Sequence, residues 1–272
     1  MYKPTFDCKT GLGCSTLILT MNIRVLGCHG GQLPHFSTVS FLINDHLILD
    51  GGSITSVLSI EEQQGIGQIL ITHSHMDHIK DLCFLAENLY LSGSYKTIPL
   101  YSAEAILTDL IRHVFNGIIW PKFHQMPKSK PIYAFRSIKK TLKFQGLTIQ
   151  SIPVNHSHTA MAYLISDRKG AVLFSGDTGP TSDLWKTANR IKKLKAIFLE
   201  LSFPAALTDL AYQTRHLSVP NLVRELSKIK HKNIPVYLHH LKPIYYDKIR
   251  AEVMALGLKQ LHILKPKTTL TI

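Results

Sequence analysis

The sequence predicts an α/β protein with two β-sheets in the middle and helices outside, and three observations point there. Short apolar runs bounded by Gly, Pro and Asp alternate with helical patterns almost throughout. Strand-like runs dominate each half before helices intervene, the pattern of two packed sheets. The chain has 272 residues, 45% of them hydrophobic, and no repeat, linker or low-complexity segment divides it.

Taken in order, NIRVLG (22–27), TVSFLIN (38–44), HLILD (46–50) and GQILIT (67–72) read as strands of the first half. LTIQSIPV (147–154), AMAYLIS (160–166) and AVLFSGD (171–177) follow, then KAIFLEL (195–201) and PVYLHH (235–240). Helical stretches are expected at 54–63, 78–91, 103–115, 217–229 and 244–256. The last two space apolar residues by three and four, as in Val219, Leu222, Val223 and Leu226. Residues 117–135, rich in Pro, Lys and aromatics, read as a loop over a site.

Residues 1–20 are expected to be a poorly ordered N-terminal extension, with one domain over 21–272. "RVLGC" at 24–28 has the look of a lipoprotein cleavage box, but Arg24 and Asp7 argue against a signal peptide. No apolar run reaches the roughly 18 residues that span a bilayer, so no membrane partner is expected. Cys8, Cys14, Cys28 and Cys83 form no CxxC pair, and reduced thiols in the cytoplasm are the expectation. The net charge of +13 favours anionic partners such as nucleotides, RNA or anionic lipid. Its Lys runs, such as Lys192, Lys193 and Lys195, carry no interleaved aromatics and read as solvated faces.

Chemistry concentrates in "ITHSHMDHIKD", residues 71–81. His73 and His75 alternate along an extended segment after a strand, so their side chains point the same way and suit one metal. Asp77 and His78 follow at the turn into a helix and suit a second. Zinc-like ions accept imidazole and carboxylate together. Later strand ends supply the remaining donors: His156 or His158, Asp177, and His239 or His240.

"THSHMDH", "NHSH", "SGDTG" and "LHHLKP", in this order, resemble the metallo-β-lactamase fold superfamily over nearly everything from residue 22 onward. The resemblance implies an αββα four-layer sandwich. It implies that His73, His75 and His156 hold one metal, that Asp77, His78 and His240 hold a second, and that Asp177 bridges them. His156 is preferred for its spacing to "AYLI", and His240 because "HLKP" resembles the family's "HIKP" ending. Two divalent ions are implied, Zn2+ first, with Mn2+ and Fe acceptable to the same donors.

Three stretches narrow the branch. "GCHGGQLPHFSTVSFLI", "HVFNGIIWPKF", and "LELSFP" with "RHLS" resemble the second class of 3′,5′-cyclic-nucleotide phosphodiesterases. That resemblance implies hydrolysis of cAMP or cGMP to the 5′-nucleotide, with water activated between the metals and Asp77 among the catalytic residues. Glu200 and His216 are similar to a pair in the tRNA 3′-processing endonucleases, where the carboxylate orients the imidazole as general acid for the leaving oxygen. Trp120, Asn116 and Thr178 are the expected substrate contacts, with Trp120 stacking on the base. The signature departs from that class at Met76, in place of Leu, at Asp81, in place of a small residue, and in lacking its terminal Ser. Two alternatives remain at this point: an enzyme acting on the 3′ end of precursor tRNA, and a non-catalytic nucleotide- or RNA-binding member of the fold. A homodimer is the family expectation.

Overall fold

The computed structural model describes residues 20–94 and 96–272. The expected N-terminal extension, Thr20 apart, lies outside the described residues.

Among the described residues, two seven-stranded sheets face each other. The first contains β1 (Asn22–Gly27), β2 (Ser40–Ile43), β3 (Leu47–Leu49), β4 (Gln68–Leu70), β5 (Ile98–Ser102) and β6 (Tyr133–Ser137). The second contains β7 (Thr141–Phe144), β8 (Leu147–Pro153), β9 (Met161–Ser166), β10 (Ala171–Phe174), β11 (Leu194–Glu200), β12 (Val236–His239) and β13 (Leu261–Ile263). A last strand, β14 (Thr269–Thr271), returns to the first sheet and pairs antiparallel with β1, Asn22 opposite Thr271. In each sheet an antiparallel portion leads into a parallel one: β3 to β6 in the first, β10 to β13 in the second.

Seven α-helices accompany them among the described residues: α1 (Ile60–Gly65), α2 (Met76–Leu91), α3 (Glu104–Asp109), α4 (Asp183–Ala188), α5 (Thr208–Thr214), α6 (Val219–Leu226) and α7 (Tyr246–Ala255). The result is the expected four-layer α/β sandwich. No helix among the described residues is long and apolar enough to cross a membrane.

Burial on both faces explains why the strands read as near-continuous apolar runs; every residue of β2 and β10 is buried. Phe41 from the first sheet meets Phe174 and Phe198 of the second, at ring separations of 5.5 and 5.4 Å, and the latter two stack at 4.4 Å. A second core packs α4, α6 and α7 on the outer face of the second sheet through Trp185, Leu222 and Ile249.

Several elements differ from expectation for local reasons. The helix expected at 54–63 begins only at Ile60, where Ser59 and Glu62 close a capping box. The expected 103–115 helix ends at Asp109 and widens into a π-helical turn over Leu110–Val114. On α6, Val223 is exposed, while Asn221 and Glu225 are buried; Glu225 accepts from Trp185 Nε1 at 2.5 Å and Thr181 N at 3.1 Å. That buried carboxylate turns the helix away from its purely apolar stripe. Strands β5, β6, β7, β13 and β14 and the short helices α4 and α5 went unread in the sequence. Residues 117–132 are largely irregular, as the loop reading expects, but 133–135 belong to β6.

Ligands of open α/β sheets gather at the carboxyl ends of parallel strands. Here β4, β10, β11 and β12 end at one side of the molecule, with the turn after β8 beside them, and the charged residues gather there.

Candidate metal centre

The segment after β4 stays extended through His75, whose φ of −67° and ψ of 147° make it the residue preceding α2. Asp77 sits in the first turn of α2, where the helix dipole favours a carboxylate, and His78 is completely buried one residue later. The turn after β8 brings His156, the turn after β10 brings Asp177, and His240 follows β12 in a left-handed conformation, φ 68°.

These donors fall into two groups whose candidate ligand atoms lie within 4.8 Å of one another: His73, His75, His156 and Asp177, and Asp77, His78 and His240. Asp177 also faces the second group. Its Oδ2 is 3.6 Å from His73 Nε2, 3.4 Å from His78 Nε2 and 3.0 Å from His240 Nε2. Asp77 Oδ2 lies 3.1 Å from His240 Nε2 and 4.0 Å from His78 Nε2. His158 and His239 are placed elsewhere. His158 Nε2 contacts Asp109 Oδ2 at 2.7 Å, and His239 is buried edge-on to Phe41, with neither ring nitrogen hydrogen-bonded.

The far nitrogens of the rings are held by partners the sequence reading missed. Asp50 Oδ2 accepts from His78 Nδ1 at 2.7 Å, and Asp50 is itself fixed by Thr72 N and Oγ1, both at 2.8 Å. Thr72 Oγ1 is also 3.0 Å from His73 Nδ1. Arg215 O lies 3.1 Å from His156 Nδ1, and Ser202 Oγ lies 2.8 Å from His240 Nδ1. Such outer partners orient the rings so that the other nitrogen faces inward. A carboxylate closing the run "HLILD" was the available signal for Asp50; Ser202 and the Arg215 carbonyl left none.

Protonation follows from these surroundings. Burial lowers His73 well below the ordinary imidazole value, lowers His75, and pushes His156 down to about 4. Against the same burial, Asp177, Asp50 and Asp77 raise His78 well above the ordinary value, and Asp177 raises His240. Despite its own burial, Asp177 is held well below the carboxylate range by His240 and His78.

The residues fit a divalent cation. His73 Nε2, His78 Nε2 and Asp177 Oδ1 are buried polar atoms without a hydrogen-bond partner, and all belong to the two donor groups. Buried polar groups are ordinarily satisfied, so three orphans converging on one spot call for a charge between them.

Glu200 and His216 lie against the same spot. Glu200, fully buried at the end of β11, receives His216 Nδ1 at 3.0 Å and Leu217 N at 3.0 Å. His216 stacks on His240 with centroids 5.1 Å apart, and falls within ligand distance of Asp177 and His240.

Of the expected substrate contacts, Thr178 is adjacent, but its hydroxyl donates to Gly179 O at 2.8 Å. Asn116 accepts from Ile118 N and Ile119 N, and Trp120 donates to Cys83 O at 3.0 Å while packing on Phe84. Neither is brought into the cluster. Asp81 accepts from Thr55 N and Oγ1 at 2.8 and 3.0 Å and pairs with Lys80 at 2.7 Å, so it anchors the segment after β3.

Two glycines allow backbone to press on the cluster. A Cβ on Gly30 would lie 2.5 Å from the His240 ring, and one on Gly52 would lie 2.2 Å from Asp77 O.

Fold and site together define a metallo-hydrolase, and the chain belongs to the family described as Beta-lactamase superfamily domain, which matches residues 55–240. Within that class its similarity runs to phosphodiesterases. It is 25% identical over 265 residues to the 3′,5′-cyclic-nucleotide phosphodiesterase of Aliivibrio fischeri, covering 79% of this chain and 78% of that one. It is 25% identical over 209 residues to a probable 3′,5′-cyclic-nucleotide phosphodiesterase of Yersinia pestis, covering 67% of this chain and 59% of that one. The crystal structure of unliganded yeast PDE1 shares the fold with a TM-score of 0.79 at 19% identity, over 94% of this chain and 100% of that one.

Proposed function

We propose that this metal-dependent phosphodiesterase hydrolyses 3′,5′-cyclic nucleotides to 5′-nucleotides at a two-metal centre. The observation that carries the reading is Asp177, a fully buried carboxylate facing imidazoles of both donor groups. His73, His75 and His156 would hold one ion, Asp77, His78 and His240 the other, with Asp177 shared. Two divalent ions bound there would supply Lewis acidity for the phosphoryl group and for the hydrolytic water. Zn2+ suits this donor set, as do Mn2+ and Fe.

The protein's part is orientation and proton delivery. Asp50, the Arg215 carbonyl and Ser202 keep the imidazoles of His78, His156 and His240 aimed inward. Glu200 holds His216 Nδ1, which leaves Nε2 to give its proton to the departing 3′ oxygen. The ring is 7% exposed, so few waters compete for that proton.

The relatives named for cyclic-nucleotide cleavage support the substrate class. The test is product analysis with metal-replete protein and 3′,5′-cAMP, with Asp177→Ala beside it. Formation of 5′-AMP by the intact protein alone is expected. A 3′-AMP product, or no turnover with both ions bound, overturns the reading; release of a 3′ trailer from precursor tRNA in that case identifies RNA as the substrate.

A further inference from the structure

An open groove of about 510 Å³, lined by no residue of the two donor groups, has no part in the chemistry proposed above. Its walls come from two segments, each pressed against a residue of the second donor group. Gly30 packs against the His240 ring and is tied down by Lys242 Nζ, which donates to Gly30 O at 2.7 Å; two residues later the same segment becomes a wall at Gln32. Gly52 packs against the Asp77 backbone, and its neighbour Ser53 is the facing wall. Along the chain, the groove begins two residues after the Gly30 contact with His240 and one residue after the Gly52 contact with Asp77.

Its lining joins flat apolar surface to hydrogen-bonding edges. Phe36 is held edge-on by His29 at 4.8 Å and Tyr246 at 5.3 Å, so its ring is oriented before any ligand arrives. Leu33 extends the apolar surface, 46% exposed to solvent. Gln32 and Ser56 are exposed polar side chains on the rim, and Ser53 is buried against Thr38, 3.2 Å from its hydroxyl. Small-molecule sites combine apolar walls with a few fixed polar groups in this way.

The geometry points to a base subsite: the groove receives the nucleobase of a cyclic nucleotide whose phosphate lies at the metal centre. Phe36 and Leu33 cover the ring faces, and Gln32 and Ser56 meet the polar edge. This assignment rests on the cyclic-nucleotide reading and gives the stacking role expected of Trp120 to a different aromatic. Trp120 is engaged by Cys83 and Phe84.

The test compares kcat/KM for cAMP and cGMP with kcat/KM for an abasic ribose 3′,5′-cyclic phosphate, which keeps the same leaving oxygen. Ser56→Trp fills the groove from an exposed position, Gln32→Ala removes an edge contact, and Phe36→Ala removes the stacking face. In each variant the ratio of nucleotide to abasic substrate is expected to fall, through KM, by about tenfold for the loss of a stacking contact. Phe36 also packs on its neighbours, so the two exposed positions decide if that variant folds poorly. A wild-type enzyme that cleaves cyclic nucleotides, with a ratio unmoved in Ser56→Trp and Gln32→Ala, overturns the subsite alone. A wild-type enzyme that cleaves the abasic compound but neither nucleotide overturns the substrate reading and the subsite with it.

Discussion

The two donor groups share Asp177 but hold their protons differently. Around His73, His75 and His156 burial dominates, and the far nitrogens of His73 and His156 meet a hydroxyl and a carbonyl, so these rings are pressed toward the neutral form. Around His78 and His240 the burial is as deep, but Asp50, Asp77 and Asp177 outweigh it and keep protons on the rings. Burial alone thus prepares an imidazole to bind a cation, whereas burial among carboxylates makes the cation displace a proton.

Removing the carboxylate that both halves face is expected to do the most damage. Asp177→Ala is expected to lose both ions and all measurable turnover, more than the ~10–100-fold in affinity that loss of an outer partner costs. Metal content of the purified variant checks it; a variant that retains both ions and full activity removes Asp177 from the shared position.

Acidification separates the halves. Because His78 and His240 hold protons, affinity at their group is expected to fall by about tenfold per pH unit for each proton displaced, once the pH lies below their raised values. The His73 group, with His156 near 4, keeps its ion further into acid. Metal-to-protein ratios after dialysis between pH 8 and 5 therefore step from two to one; simultaneous loss contradicts the difference. Folding of the metal-free chain carries the same signs. Stability from neutral His156 is present above the ordinary value of 6.5 and lost as pH falls toward about 4. Stability from His78 and His240 is complete below 6.5 and lost as pH rises through their raised values.

Asp50→Asn sharpens the contrast by withdrawing one charge. It is expected to weaken the ion at the His78 group by ~10–100-fold and leave the other ion in place, as competition with a chromophoric chelator measures. Equal weakening of both ions removes the distinction.

The smallest effect comes from His239, which isolates burial from charge pairing. Burial pushes it down to about 3, and neither nitrogen has a partner. His239→Leu is expected to stabilise the fold by about 1 kcal/mol at pH 8, and by more at pH 5, where the unfolded imidazole is protonated and the buried one is not. Urea unfolding at the two pH values measures it, and a loss of stability at both contradicts the assignment.

Much of the candidate site was legible because its residues are local in sequence. His73, His75, Asp77 and His78 fall within six residues at a strand-to-helix junction, where period-two and helical spacing fix their directions. By residue pattern alone the later donors were legible only as strand ends; His156 was preferred over His158 through the resemblance, and the structure turns His158 to Asp109 instead. Asp50 and Ser202 escaped because they act through other side chains across 28 and 38 residues. The fold class was legible from apolar runs, whereas α4 and α5 were too short for periodicity to show. Glu225, polar on a buried face, broke the stripe for a partner, Trp185, that lies 40 residues away.

The pairing of β14 with β1 bears on how the molecule assembles. The first sheet takes its earliest and latest strands from opposite ends of the described sequence, with the whole second sheet formed in between. The second sheet is contiguous in sequence but the first is not, and long loops must close before β1 gains its outer neighbour. Such an interleaved order favours one cooperative transition over stepwise loss of layers, and it places completion of the sheet that bears His73 after the chain has passed His240.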